Sequence, residues 1–103
     1  MMDAIVASDT PMLVMTSPTN ARYPLVENLV IGRDPNSGLV IPDRRVSRQH
    51  AQIVRRKEGF VLLDNDSKNG TFVNGERIAA PARLEDGDVI LIGDVELIFS
   101  NRD

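Results

Sequence analysis

Glycine and proline residues divide this chain into short segments, and this spacing restricts its fold more than any other feature. The seven glycines and six prolines are spread over almost the whole length. Between many of them lie five to eight residues, which is enough for a β-strand but short for a typical helix. The apolar segments predict strands at 12–15, 29–31, 60–63, 89–92 and 95–99. Many short strands at regular spacing are typical of a sandwich or a barrel.

The stretch from Asp43 to Glu58 contains no glycine or proline and allows two interpretations. It could form a helix that is capped by Asp43 and carries a basic outer face. Alternatively, a loop runs to His50 and is followed by a strand that forms a hairpin with residues 60–63. In that strand Ala51 and Ile53 alternate with Gln52 and Val54.

Composition indicates one ordinary globular domain over residues 1–103, with the patterned region at about 11–100. Hydrophobic residues make up 42% of the 103 residues and charged residues 26%, which argues against disorder and low-complexity classes. The chain has no cysteine and one histidine. Thiolate catalysis, disulfides, zinc–cysteine sites and multi-histidine metal sites are therefore excluded. We expect no metal and no cofactor.

Charge is unevenly distributed along the chain, although the net charge is −3 and the isoelectric point is about 5.1. Six cationic residues fall within residues 44–57, namely Arg44, Arg45, Arg48, Arg55, Arg56 and Lys57. A local basic site on an acidic body suits a small anionic ligand better than a long polyanion. The N-terminus resembles no signal peptide, and no apolar run is long enough to span a bilayer. We therefore expect a cytoplasmic protein that binds neither membrane nor nucleic acid.

Three patterns suggest enzymatic or ion-binding chemistry, but each lacks a required part. Ser47 and His50 could pair as nucleophile and base, yet no Gly-x-Ser-x-Gly elbow surrounds the serine. Residues 65–76 have the glycine and glutamate spacing of a calcium loop, but too few carboxylates for tight binding. Residues 70–75 have the glycine spacing of a P-loop, but Glu76 replaces the lysine. We therefore expect no enzymatic activity.

Three loop clusters remain as candidates for a binding site, and each is a weak signal by itself. Gly32 and Arg33 follow an apolar strand, where glycine permits close backbone approach and arginine offers a planar fork for phosphate. Ser47 and Arg48 place a hydroxyl beside a guanidinium. The third cluster, residues 67–75, contains two Asn-Gly dipeptides, which are typical of tight turns with positive φ.

In order, these clusters resemble the forkhead-associated (FHA) domain over about residues 11–100. The matching motifs are Gly-Arg at 32–33, Ser-x-x-His at 47–50, Asn-Gly-Thr-Phe-Val-Asn-Gly at 69–75 and Leu-Glu-Asp-Gly-Asp-Val-Ile at 84–90. The resemblance implies an all-β fold, an antiparallel β-sandwich of about eleven strands with binding loops at one end. It also implies a non-enzymatic module that recognises phosphothreonine in partner proteins and so mediates phosphorylation-dependent signalling.

Carried over position by position, the resemblance implies a role for each matching residue. Arg33, Ser47 and Arg48 would contact the phosphate, while Lys68 and Asn69 would face the peptide. Gly32 would admit the turn and His50 would brace the loops. The residues expected to support the site are Gly32, His50, Gly70, Thr71, Asn74 and Gly75.

The expected partner is a phosphothreonine-containing protein or peptide, a substrate of a serine/threonine kinase, and the domain is expected to be a monomer. Two alternatives stay open. The domain could bind a partner independently of phosphate, through a sheet face. The arginine-rich segment 44–57 could instead act as a DNA-binding helix.

Overall fold

The computed structural model describes residues 11–57 and 59–101, and these form eleven strands and no helix. The described residues accordingly include no helix long and apolar enough to cross a membrane. The strands are β1 (Met12–Ser17), β2 (Ala21–Pro24), β3 (Leu29–Gly32), β4 (Leu39–Val40), β5 (Ala51–Arg56), β6 (Gly59–Asp64), β7 (Phe72–Val73), β8 (Glu76–Arg77), β9 (Ala82–Arg83), β10 (Val89–Ile92) and β11 (Val95–Ser100).

The strands form two sheets that pack face to face as a sandwich. One sheet has six strands in the order β2-β1-β11-β10-β7-β8, and the other has five in the order β4-β3-β5-β6-β9. Among the described strand pairs only β3 and β4 run parallel, and the remaining pairs are antiparallel. The predicted sandwich of about eleven strands is confirmed, with this one parallel pair added to the antiparallel pattern.

The helical interpretation of residues 43–58 is wrong. Residues 44–50 form turns and loop, and β5 pairs with β6 as the predicted hairpin. Ala51 and Ile53 are both fully buried on the inner face of β5. Two residues along a helix would be rotated by about 200°, so a helix could not have buried both on one side. Val54, expected with Gln52 on the outer face, is only 7% exposed.

Alternating burial along the longer strands builds the core between the sheets. In β11 Val95, Leu97 and Phe99 are buried, while the intervening residues are half-buried. The rings of Phe60 in β6 and Phe99 in β11 meet edge to face, with centroids 5.8 Å apart. This contact joins the two sheets.

Strand direction gathers the loops that carry the sequence motifs. Because β3, β5 and β6 are antiparallel neighbours, the end of β3, the start of β5 and the end of β6 lie at one end of the sheet. Residues 33–38, 41–50 and 65–71 therefore emerge together, and we call them the apical loops. The opposite end of the same sheet holds the β5–β6 turn.

Candidate functional site

Gly32 allows the first two apical loops to approach each other closely. A Cβ atom at this position would lie 2.1 Å from the carbonyl oxygen of Arg48, so no other residue fits without moving backbone. The contact brings two hydrogen bonds into place: Arg33 N donates to Ser47 O at 3.1 Å, and Asp34 N donates to Arg48 O at 3.1 Å. Arg33, Ser47 and Arg48 are thereby brought together.

The Arg33 side chain is oriented by the backbone of the neighbouring loop. Its Nε atom donates to the carbonyl oxygen of Val46 at 3.0 Å, while the residue itself is exposed. The two terminal amino groups have no partner among the described residues. The guanidinium is therefore fixed at its inner side and keeps its outer donors for a ligand.

The hydroxyl of Ser47 acts as an acceptor for the third apical loop and donates to no described residue. Ser47 Oγ accepts a hydrogen bond from the backbone N–H of Lys68 at 3.2 Å. Since a hydroxyl has a single proton, that proton stays available for donation to a ligand oxygen. The contact also ties the loop that holds Ser47 to the loop that holds Lys68.

His50 is fully buried and joins two apical loops through both ring nitrogens. Its Nδ1 accepts from the backbone N–H of Ser47 at 3.0 Å, and its Nε2 lies 2.8 Å from the carbonyl oxygen of Gly70. A carbonyl can only accept and an N–H can only donate. In this arrangement Nε2 is the donor to Gly70 and Nδ1 is the acceptor from Ser47.

This bonding leaves His50 unable to act as a base toward Ser47. A general base needs a free nitrogen within reach of the nucleophile's proton. Both ring nitrogens are occupied by backbone groups, and the bond to Ser47 involves its N–H rather than its hydroxyl. The geometry favours a bracing role for the histidine.

Asn69 and Lys68 lie on the third apical loop, and both are exposed. Asn69 Nδ2 donates to the carbonyl oxygen of Arg45 at 2.7 Å, and this bond uses one of the two amide protons of Asn69. Its Oδ1 atom and second proton have no partner among residues 11–57 and 59–101. The side chains of Lys68 and Arg48 likewise make no hydrogen bond or ion pair with the described residues.

Asp64 organises the third apical loop, a role that the sequence analysis missed. Its Oδ1 atom accepts from the hydroxyls of Ser67 at 2.5 Å and Thr71 at 2.7 Å, and its Oδ2 accepts from Ser67 N at 3.0 Å. Ser67 Oγ in turn accepts from Gly70 N at 3.0 Å. The sequence did contain a signal for this role, because Asp64 directly follows a predicted strand and a serine follows three residues later. Aspartate side chains in loops commonly accept hydrogen bonds from backbone N–H groups a few residues further along.

These bonds also set the ionisation of Asp64. Partial burial by itself would raise the pKa of the carboxyl. The hydrogen bonds from Ser67 and Thr71 outweigh it and hold the pKa of Asp64 below its ordinary value. The loop is thus held by a carboxylate.

Gly70 and Thr71 occupy the interior of this network. Both are buried, and Thr71 also accepts a backbone bond from Ile78 at 2.9 Å. Gly70 has φ of +92°, and a Cβ atom there would lie 2.6 Å from the Nε atom of Arg77. Both residues hold the loop from within.

Asn74 and Gly75 lie apart from the apical loops, in the two-residue turn between β7 and β8. Both have positive φ, +51° and +88°, which fits the predicted tight turn. Asn74 also bonds the start of β10, since its Nδ2 donates to Asp88 Oδ1 at 3.0 Å and its Oδ1 accepts from Val89 N at 3.0 Å. These bonds link the turn to the start of β10 in the same sheet.

Arg45 links the β10–β11 turn to the apical loops through ion pairs. Its Nη2 atom lies 2.7 Å from Asp43 Oδ2 and 2.5 Å from Asp94 Oδ2, in the β10–β11 turn. The side-chain hydrogen bond from Arg45 lowers the pKa of Asp43, and the two carboxylates raise the pKa of Arg45. Because Arg45 is paired in this way, it is not available to a ligand as Arg48 is.

A groove of about 610 Å³ lies beside the third apical loop. Its lining includes Asp64, Ser67 and residues 77–81. No group of three or more histidine, cysteine, aspartate or glutamate side chains that could hold a metal occurs in the part of the chain described.

Comparison with known sequences decides the family. The sequence model of the FHA domain matches residues 29–93. The chain belongs to the FHA domain family. An ABC transporter ATP-binding/permease protein of Mycobacterium tuberculosis is 48% identical over 71 residues, which are 69% of this chain and 8% of the transporter. The FHA chain spans 8% to 51% of the length of the first curated relatives that it matches.

Solved structures share the fold over most of the FHA chain. One comes from a structural and functional analysis of phosphothreonine-dependent FHA domain interactions; it is 33% identical, with a TM-score of 0.84, and the match covers 91% of this chain and 98% of that one. Another is Mycobacterium tuberculosis EmbR in complex with a low-affinity phosphopeptide, 32% identical with a TM-score of 0.84. That match covers 94% of this chain and 28% of EmbR.

Proposed function

We propose that this FHA domain binds phosphothreonine in a partner protein through its apical loops, and that it carries out no chemical step itself. One observation carries the proposal. Arg33 and Ser47 lie side by side, each fixed by an inner hydrogen bond and each with outward donors free. Solved relatives described as phosphothreonine-dependent and phosphopeptide-bound support the choice of ligand.

The free donors match the chemistry of a phosphate monoester. A phosphothreonine carries about −1.5 to −2 charges near neutral pH and three acceptor oxygens. In this proposal the terminal amino groups of Arg33 bond two of the oxygens, the Ser47 hydroxyl donates to one, and Arg48 adds charge. Each charge-assisted bond contributes about 1.5–3 kcal/mol net, part of which is offset by ordering the peptide.

Lys68 and Asn69 are proposed to hold the peptide on either side of the phosphate. The free Oδ1 atom and amide proton of Asn69 suit a peptide N–H and carbonyl, which is recognition of main chain rather than of sequence. Lys68 offers a mobile point charge to whatever acidic group follows. With these contacts we expect an affinity in the micromolar range, about −8 kcal/mol.

The partner is proposed to be a serine/threonine kinase substrate, bound by one copy of the domain. The modification has to be present before the partner can bind, so the domain acts as a reader of kinase activity. The interaction is proposed to take place in the cytoplasm.

The test begins with an oriented phosphothreonine peptide library, which supplies a binding sequence. Calorimetry then compares that peptide in its phosphothreonine, phosphoserine and unphosphorylated forms. We expect no measurable binding of the unphosphorylated form and about fourfold weaker binding of the phosphoserine form, which lacks one methyl group. Equal affinity for the phosphorylated and unphosphorylated forms would support phosphate-independent binding through a sheet face instead.

A further inference from the structure

The cationic side chains of this domain differ in how they are bonded. Arg45 is held by two carboxylates, and Arg55 Nη1 donates to the carbonyl oxygen of Val26 at 3.1 Å. Arg56 and Lys57 are exposed, and their side chains make no hydrogen bond or ion pair within residues 11–57 and 59–101. Neither residue belongs to the apical loops, so the phosphothreonine site does not account for them.

These two residues border a cleft of about 260 Å³ at the β5–β6 turn, which we call the basal cleft. Gly59, Val61 and Arg83 complete its lining. Val61 is opposite Arg83 in β9, so the cleft has cationic side chains on both sides of an apolar residue. At Gly59 a Cβ atom would meet nothing within 4 Å, which leaves the cleft open there.

The floor of the basal cleft is apolar. Val61 pairs with Val54 in β5, and both point away from the core residues Ile53 and Phe60 that alternate with them. Val54 is only 7% exposed although it lies on this outer face. The cations therefore lie around the half-buried side chain of Val61, beside the buried Val54, rather than on an ordinary polar sheet face.

The basal cleft is well separated from the apical loops. β5 runs from Ala51, next to His50, to Arg56 at the basal turn. Five steps of about 3.4 Å along a strand separate these ends by about 17 Å. A ligand in the cleft therefore leaves the phosphothreonine site free, and the two sites can be occupied together.

We propose that the basal cleft binds an acidic peptide segment of a partner protein, with an apolar side chain placed between carboxylates. The carboxylates would pair with Arg56 and Lys57, and the apolar side chain would cover Val61. The volume is below the range of about 300–1,000 Å³ that is usual for small-molecule sites, and suits one or two side chains.

Charge and shape favour this occupant over other anionic partners. A nucleic acid would use the cations but not an apolar floor, and none of the described residues that line the cleft is aromatic, as base stacking would need. A membrane surface requires apolar side chains that project, whereas Val61, the valine that lines the cleft, is half-buried. Only a peptide uses both the cations and the floor.

The test uses an unphosphorylated peptide with one leucine flanked on each side by two carboxylate residues. It is titrated against the ¹⁵N-labelled Arg33→Ala variant, so that the apical site does not compete for its negative charge. We expect shifts at the amides of Gly59, Val61 and Arg83, and no comparable shifts at Asn69 and Gly70.

Substitutions then separate the cleft from general charge attraction. Arg56→Glu combined with Lys57→Glu should weaken peptide binding at least about tenfold. Arg22→Glu combined with Arg77→Glu alters the net charge by the same amount, but on the other sheet. This control pair should change the affinity for the peptide less than about twofold. Val61→Thr, which replaces one methyl with a hydroxyl, should weaken it about fourfold.

Three results would overturn the proposal. The cleft variant could bind the peptide as well as its parent does, or the control pair could weaken binding equally. Phosphatidylserine vesicles or duplex DNA could bind in a way that depends on Arg56 and Lys57 while the peptide does not. In that case the occupant of the basal cleft would be the lipid surface or the DNA, and not the peptide.

Discussion

The Nε2 atom of His50 lies 2.8 Å from the carbonyl oxygen of Gly70, a residue twenty positions further along the chain. This bond closes a ring of contacts. Gly70 N donates to Ser67 Oγ, the adjacent Lys68 N donates to Ser47 Oγ, and Ser47 N donates to the other ring nitrogen of His50. The second and third apical loops are therefore bonded to each other at two points. The Ser47 hydroxyl, which is proposed to bind the phosphate, is one of the groups in this ring of contacts.

Replacing His50 by alanine should unfold the domain more easily. The change removes two hydrogen bonds from a fully buried position and leaves a cavity. We expect the free energy of unfolding to fall by about 2–4 kcal/mol, with weaker peptide binding as a consequence. Denaturant unfolding and calorimetry measure the two effects.

Gln49→Ala provides the control for this variant, because Gln49 is an exposed neighbour in the same loop. Its stability should stay within about 0.5 kcal/mol of the parent. If His50→Ala instead kept normal stability and lost all binding, His50 would be a direct ligand contact and the bracing role would be wrong.

Arg33→Ala should abolish binding at little cost in stability. We expect phosphothreonine peptide affinity to fall at least about 100-fold, because charge-assisted bonds to the phosphate are lost. The part-buried bond from Arg33 Nε to Val46 O contributes about 1 kcal/mol to folding. Arg22→Ala, an exposed arginine on β2, should change neither quantity. Normal binding by Arg33→Ala would place the phosphate elsewhere.

The two Asn-Gly dipeptides should respond in opposite ways to alanine. Asn69→Ala should reduce peptide affinity about tenfold with a loss of stability below about 1 kcal/mol, since its contacts are exposed. Asn74→Ala should cost about 1–3 kcal/mol of stability and leave affinity nearly unchanged. It loses two side-chain bonds and puts alanine at a φ of +51°. Thermal melts and titrations of the pair, run together, would contradict these roles if the effects were equal or exchanged.

Asp64→Asn should lower stability at neutral pH and reduce its dependence on pH in acid. The folded state lowers the pKa of Asp64 from 3.8, so its stabilising effect is complete above about pH 4 and is lost as the pH falls through the folded value. We expect the variant to lose about 1–3 kcal/mol at pH 7. Its stability should then fall less steeply than that of the parent between pH 4 and pH 2 in denaturant titrations.

Asp66→Asn is the matched control, since Asp66 lies in the same loop and is exposed. Its φ of +57° suits asparagine equally well. An equally flat pH profile in this variant would show that general charge, rather than the bonds to Asp64, sets the acid stability.

Much of the fold could be predicted from local sequence. Glycine and proline spacing predicted short strands, and the five predicted segments lie within β1, β3, β6, β10 and β11. The alternation in residues 95–99 matched the buried face of β11. The Asn74-Gly75 turn was predictable because few residues other than glycine and asparagine adopt positive φ without strain. These features depend on residues that are close together in the chain, and so they can be read from the sequence directly.

The order of the motifs also identified the residues that meet at the apical loops, but not how they are bonded. The order and spacing of the motifs resemble the FHA domain, and through that resemblance Gly32, Arg33, Ser47, His50 and Asn69 were selected. That His50 bonds backbone on both sides, and so cannot serve as a base, depends on where Gly70 lies after folding. The sequence shows which donor and acceptor groups a residue has, while the folded structure determines which partners those groups bond.

Tertiary structure alone decided the contacts between residues far apart in the chain. Arg45 reaches Asp94 across 49 positions, and Val54 is covered although the alternation placed it outside. Neither Asp64 nor the basal cleft stood out in the sequence, because an aspartate, two cations and a valine are ordinary surface residues until the sheet places them side by side. Local preferences fix backbone conformation over a few residues. Long-range bonds require the packed sandwich, because only packing sets the distances over which hydrogen bonds and ion pairs act.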